Sequence, residues 1–153
     1  MTIKKPSDCT KKELEDFKNL VLTGGQVTSN GLETRIKNCK VLGFCYVENI
    51  LVGVSAIKQK DIEIVKRTRN KANVSTDGIP TLELGYSFTN PDFRGQGINK
   101  KLNDELLKVI VAEKVYATTD NDTMRKYLID NGFKKVGKSF KGNYNENLDY
   151  FER

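Results

Sequence analysis

At 153 residues the chain is long enough to bury about two thirds of its unfolded surface, which predicts one domain spanning 1–153 around a single core. No apolar run approaches 18 residues, and Thr2 to Asp16 is polar and charged rather than a basic-then-apolar leader, so a soluble cytoplasmic protein with no membrane partner is expected. Three cysteines, Cys9, Cys39 and Cys45, form no CxxC pair and leave an odd count, which argues against a disulfide scaffold or a zinc site. Histidine is absent, so a general base must be a carboxylate, tyrosine, lysine, cysteine or water. The net charge of +6 favours anionic ligands and also suits weak nucleic-acid contact.

In chain order, Thr10-Lys11-Lys12-Glu13 is a capping box that predicts a helix with Leu14, Phe17, Leu20 and Val21 on one face, ended by Gly24-Gly25. A second short helix carries Leu32, Ile36 and Cys39 inward, after a loop from Thr23 to Gly31. Val41–Val47 and Ile50–Ile57 read as two strands closed by a tight turn at Glu48-Asn49. Asp61 to Val65 reads equally as a strand extension or as the first turns of a helix entering the basic run Lys66–Lys71, whose plain reading is a solvated face. Gly78 and Pro80 mark a loop before a strand at 81–89. After the next helix come a strand at Lys114–Thr118 and a helix from Asn121 to Asp130 bearing Met124, Leu128 and Ile129. Strands near Phe133–Phe140 and Leu148–Phe151 close the chain around the loop Lys141–Asn147. The order is mixed α/β with a sheet that must be partly antiparallel, because the hairpin joins neighbouring strands directly.

The stretch Pro91-Asp92-Phe93-Arg94-Gly95-Gln96-Gly97-Ile98-Asn99-Lys100-Lys101-Leu102 organises the rest. A strand ends, a glycine-rich turn follows, and a helix begins whose Ile98, Leu102, Leu106, Val109 and Ile110 recur at spacings of three and four. Gly95 and Gly97 let the backbone turn sharply and approach a ligand. The unpaired N–H groups of the first helical turn, with the helix dipole behind them, suit a pyrophosphate.

This stretch resembles the acetyl-CoA signature of the GNAT superfamily of N-acetyltransferases, read here at Arg94, Gly97 and Asn99. Asn99 departs from the small residue usual at the last position. Pro91, Phe93, the strand Leu82–Phe88 and the later Asn131-Gly132-Phe133 also match, so the likeness covers most of residues 80 to 137. It implies a GNAT-like fold: a central mixed, largely antiparallel sheet flanked by helices and splayed at the acetyl-CoA site. It implies that Arg94, Gly95, Gln96, Gly97, Ile98, Asn99 and Lys100 hold the pyrophosphate, and that the pantetheine arm lies against the backbone of Tyr86, Ser87 and Phe88. The Phe88 N–H then becomes the oxyanion donor, and Asn121 a coenzyme contact or simply a helix cap.

Glu83, eleven positions ahead of Arg94 where the family's carboxylate base commonly stands, is the candidate base, with a solvent-facing strand glutamate as the plain alternative. The family's leaving-group tyrosine falls on Leu128, while Tyr127 points about 100° away and reads as packing. The expected reaction is acetyl transfer from acetyl-CoA to a primary amine by direct attack in a ternary complex, with no metal. The acceptor, a small molecule or a protein amine, would enter between the loops Thr23–Gly31 and Lys141–Asn147. A homodimer is compatible with the fold. A non-catalytic acyl-CoA-binding module is the alternative that Asn99 and Leu128 suggest. A basic nucleic-acid-binding domain is a distant third, with no recognised motif behind it. A dinucleotide site fits poorly, because Lys100 stands where the third glycine is needed, and no Walker loop occurs.

Overall fold

The structure, a computed structural model, describes all 153 residues. Its strands and helices, in order, are β1 (Thr2–Lys4), α1 (Lys11–Thr23), α2 (Leu32–Lys37), β2 (Cys39–Val47), β3 (Ile50–Gln59), α3 (Ile62–Lys71), β4 (Leu82–Thr89), α4 (Ile98–Val109), β5 (Val115–Thr119), α5 (Asp122–Asp130), β6 (Lys134–Lys135), β7 (Phe140–Lys141) and β8 (Asn147–Glu152). The chain forms two compact units, one of Met1–Gln59 with Leu84–Ala112 and one of Lys60–Glu83 with Glu113–Arg153. Strand β4 supplies Leu82 and Glu83 to the second and Leu84 onward to the first. The pairings β1–β2, β2–β3, β5–β8, β6–β8 and β7–β8 are antiparallel, and β4–β5 is parallel.

In the first unit the strand order is β1-β2-β3-β4. The capping box forms as expected: the Glu13 N–H donates to Thr10 Oγ1 (3.2 Å) and the Thr10 N–H to Glu13 Oε2 (2.8 Å). Glu48 and Asn49 both take left-handed φ, 49° and 66°, which closes the β2–β3 hairpin with a two-residue turn matching the strand twist. Phe17 and Val21 of α1 pack with Leu42, Phe44, Val54 and Ala56 on one face of the hairpin. Helix α4 covers the other face, where two glycines make room: a Cβ at Gly43 would stand 3.2 Å from Leu102, and one at Gly53 would stand 2.5 Å from Ile98 Cγ2.

In the second unit β4, β5, β8 and β6 lie in that order, with β7 paired to β8. Val65, Ala72, Tyr116 and Tyr150 form a buried cluster in its core. Residues 61–65 resolve as helix because the Asp61 side chain caps α3, accepting from the Glu63 N–H at 2.8 Å. The basic run is not uniformly solvated. Arg69 is 4% exposed and paired with Glu152, while its Nε donates to Ser75 C=O at 2.6 Å. Four further expectations are corrected. Cys39 opens β2 instead of extending α2. Val109 and Ile129, on the last turns of their helices, are exposed, since the apolar spacing runs on past the packed face. The Phe133–Phe140 strand is two short strands parted by a loop.

Asp149 in the second unit is buried, which opposes ionisation. Hydrogen bonds from Lys135, Ser139 and Arg125 outweigh this and hold its carboxyl below the usual range. Such a group stabilises the fold above its unfolded value of about 3.9, and the contribution is lost as pH falls through the lower folded value. Asp149→Asn should therefore cost about 1–2 kcal/mol at pH 7 and show less acid loss below about pH 4 than the parent, in urea unfolding followed by circular dichroism. Gly53→Ala, forced against Ile98, should cost about 1–3 kcal/mol and lower the thermal midpoint by roughly 3–10 °C. An unchanged midpoint would refute this packing account.

Candidate functional site

The expected phosphate turn lies wholly in the first unit and is clamped at both ends by β3. Ahead of it, the Asn90 N–H donates to Val52 C=O at 2.8 Å, and the Asn90 side chain caps the 3-10 turn Pro91–Phe93. Behind it, Ile98, the first residue of α4, is buried with Cys45, Val52 and Leu102. Gly95 and Gly97 take φ of 79° and 69°, and a Cβ at either would meet nothing within 4 Å. The loop therefore needs glycine for its backbone conformation, which a side chain would strain.

The first α4 bond runs from the Lys101 N–H to Gly97 C=O at 3.0 Å, so the amides ahead of it lie at the open, electropositive helix end. Arg94, Gly95, Gln96 and Lys100 are exposed around this end, with Lys100 3.2 Å from Asp104. The Arg94 guanidinium sits 5.8 Å from the Phe88 ring centre. Thr89 Oγ1 and Asn99 Oδ1 are buried without a protein partner. An exposed helix end, cations and a buried hydroxyl free to donate form a donor set that fits a phosphorylated ligand.

Upstream on the same unit, Tyr86 has φ of 55° inside β4, a left-handed conformation that costs a tyrosine about 1–3 kcal/mol. The chain kinks there, just before Ser87 and Phe88. The Tyr86 ring packs edge-on against Phe17 at 6.4 Å and under Lys58 Nζ at 4.7 Å. Phe88 lies so close to the end of α1 that a Cβ at Gly24 would stand 2.9 Å from its ring. The Ser87 hydroxyl is held by Ser55 and Asn103, neither of which any sequence signal had singled out. A surface groove of about 370 Å3 between α1 and the β2–β3 turn, lined by Lys12, Asp16, Asn19 and Thr23 among others, contains none of the expected catalytic or coenzyme-binding residues and touches the expected acceptor loop only at Thr23.

Glu83 and Asn121 belong to the second unit. The β4–β5 ladder pairs Leu82 with Val115 and Glu83 with Tyr116. The Glu83 side chain is 12% exposed, which rules out the solvent-facing alternative. Its Oε2 accepts from the Tyr116 hydroxyl at 3.2 Å and lies 3.6 Å from Lys60 Nζ. Tyr116 is buried beside this carboxylate, and both effects push its phenol well above the ordinary range, so it stays a donor. Tyr116 stacks on Tyr150 at 5.3 Å; the Tyr150 phenol, raised by burial to about 12, accepts from Arg69 and donates to Glu152. Asn121 caps α5, its side chain accepting from the Met124 N–H at 2.9 Å. Leu128 is fully buried and Tyr127 nearly so, as the packing reading of Tyr127 expected.

No protein-family model and no curated protein matches the chain. Solved structures do. An acyl-CoA N-acyltransferase from Pseudomonas aeruginosa is similar over 99% of this chain and 97% of its own, with TM-score 0.70 and 14% identity. A GNAT-family acetyltransferase from Streptococcus agalactiae 2603 aligns over 99% and 94%, with TM-score 0.70 and 13% identity. Naa50 from Arabidopsis thaliana, solved with the bisubstrate analogue CoA-Ac-MVNAL, aligns over 99% and 97%, with TM-score 0.66 and 14% identity. The chain has the fold of the GNAT N-acetyltransferases.

Proposed function

We propose that the protein is an acetyl-CoA-dependent N-acetyltransferase that passes the acetyl group to a primary amine by direct attack. The observation that carries this reading is the clamped glycine turn at the start of α4, following a strand kinked at a left-handed Tyr86, in a chain with the GNAT fold. Arg94 to Lys100 hold the pyrophosphate through helix-end amides and cationic side chains. The backbone of Tyr86, Ser87 and Phe88 receives the pantetheine arm, and Asn121 is a further contact. The amine, with an ordinary pKa near 10, must lose a proton before it attacks. Glu83, held by Tyr116 and Lys60, takes that proton directly or through a water. The Phe88 N–H donates to the carbonyl oxygen as negative charge builds on it.

A non-catalytic acyl-CoA-binding module is the second reading, supported by the buried Leu128 at the position of the family's usual acid. Nucleic-acid binding through the basic run loses support, because Arg69 is buried in its pair with Glu152. No helix is long and apolar enough to cross a membrane.

Acetyl-CoA at about a hundred times its dissociation constant should stabilise the protein by roughly 2.7 kcal/mol, read as a midpoint rise of several degrees, while NAD should leave the midpoint unmoved. If neither acetyl-CoA nor coenzyme A shifts it at saturation, the reading is wrong. Glu83→Gln keeps an acceptor for Tyr116 and should bind acetyl-CoA normally. It should lower amine-dependent thiol release by roughly 10²–10⁴-fold. A parent protein that binds coenzyme but releases no thiol with any amine in a broad panel would favour the non-catalytic module.

A further inference from the structure

Tyr86 is the one residue inside a strand whose φ is positive; the other non-glycine cases lie in turns and loops. The residues on either side of it converge on one buried polar cluster. Ser55 Oγ, on β3, lies 3.4 Å from Gly85 C=O, just before the kink, and 2.7 Å from Ser87 Oγ, just after it. Asn103 Oδ1, on α4, accepts at 2.6 Å from Ser55 and at 3.1 Å from Ser87. Ser55 is 0% and Asn103 1% exposed. The surrounding surface where the β2–β3 hairpin meets α4 is built from Gly43, Gly53, Ile98 and Leu102, so plain packing there would be served by apolar side chains. What the cluster adds is a link between three elements: β3, both sides of the Tyr86 kink, and the helix whose first turn closes the glycine loop.

We propose that Ser55 and Asn103 are positioning residues for acyl transfer. They hold the Tyr86 kink, and with it the direction of the Phe88 N–H, in fixed register with the phosphate turn at the start of α4. The inference rests on the acetyltransferase reading above. Neither side chain touches the ligand; each acts through Ser87 and the β4 backbone. The phosphate end of the ligand depends on the glycine turn, held by the Asn90–Val52 bond and by Ile98 packed on Val52, neither of which involves the cluster, whereas the acyl-pantetheine end depends on the kink, so loss of the cluster should separate the two.

Isothermal titration of the parent, Ser55→Ala and Asn103→Leu with acetyl-CoA and with 3′,5′-ADP, a probe of the phosphate end only, tests this. In whichever variants fold by circular dichroism, acetyl-CoA affinity should fall about tenfold while 3′,5′-ADP affinity stays at the parent value. Two results overturn the proposal and leave the acetyltransferase reading standing: both affinities unchanged, or both reduced by the same factor, which would mark the cluster as ordinary core. A parent that binds neither ligand overturns the reading itself, and this proposal with it.

Discussion

The first unit depends on the absence of two side chains. Gly43 and Gly53 leave bare backbone on one face of the β2–β3 hairpin, and α4 settles into that space through Ile98 and Leu102. Burying such side chains contributes about 1.5–3 kcal/mol each, so the helix is fixed from its first residue and does not fray at its N-terminus. Val52, beside Gly53, takes the Asn90 N–H, so neighbouring residues of β3 anchor both the entry to the glycine turn and its exit. On the acetyltransferase reading, a short exposed loop held between two fixed points would lose little conformational entropy on binding the coenzyme.

The second unit is organised around polar groups. Tyr116 and Tyr150 stack, and each phenol donates to a carboxylate, Glu83 for one and Glu152 for the other. Lys60 faces the first carboxylate and Arg69 the second. A half-buried carboxylate is stabilised when a cation and a hydrogen-bond donor face it, and here each carboxylate has both. Glu83 is therefore held by a phenol and a cation, not left bare between Leu82 and Leu84 as the strand sequence alone suggested. On the acetyltransferase reading, this fixes the direction of the base.

What could be read from the sequence was local. The Thr10–Glu13 capping box, the Glu48-Asn49 turn and the glycine turn each need only residues within a few positions of one another, and all three form where expected. What could not be read depends on distant partners. Strand β1 has three residues and exists because Thr2 and Ile3 find Phe44 and Gly43. Arg69 sits in a run that reads as a solvated face, until Glu152 and Tyr150 enclose it. Tyr86 is a good strand former by type, so nothing in Leu82–Phe88 announces a left-handed residue; its ring meets Phe17 and its neighbours Gly85 and Ser87 meet Ser55, partners from other elements. Of the candidate site, the shape of the glycine turn and the strand position of Glu83 were legible, whereas the contacts of Tyr116, Lys60, Ser55 and Asn103 were not.

Leu128 raises the question of how acyl transfer would proceed without the acid usual at that position, since Leu128 is fully buried and Tyr127 is packed. The two proton transfers of the reaction differ in weight. A thiol with an ordinary pKa near 8.5 leaves tolerably as thiolate and is protonated by water, so an acid at that end gains little. A primary amine near pKa 10 is almost wholly protonated at neutral pH and has no lone pair with which to attack. The chemistry therefore depends much more on a base for the amine and a donor for the oxyanion than on an acid for the sulfur. On the acetyltransferase reading, the chain has a held carboxylate at Glu83 and a strand with a left-handed Tyr86 leading to the Phe88 N–H, and lacks at Leu128 only the group that acyl transfer from a thioester can most easily do without.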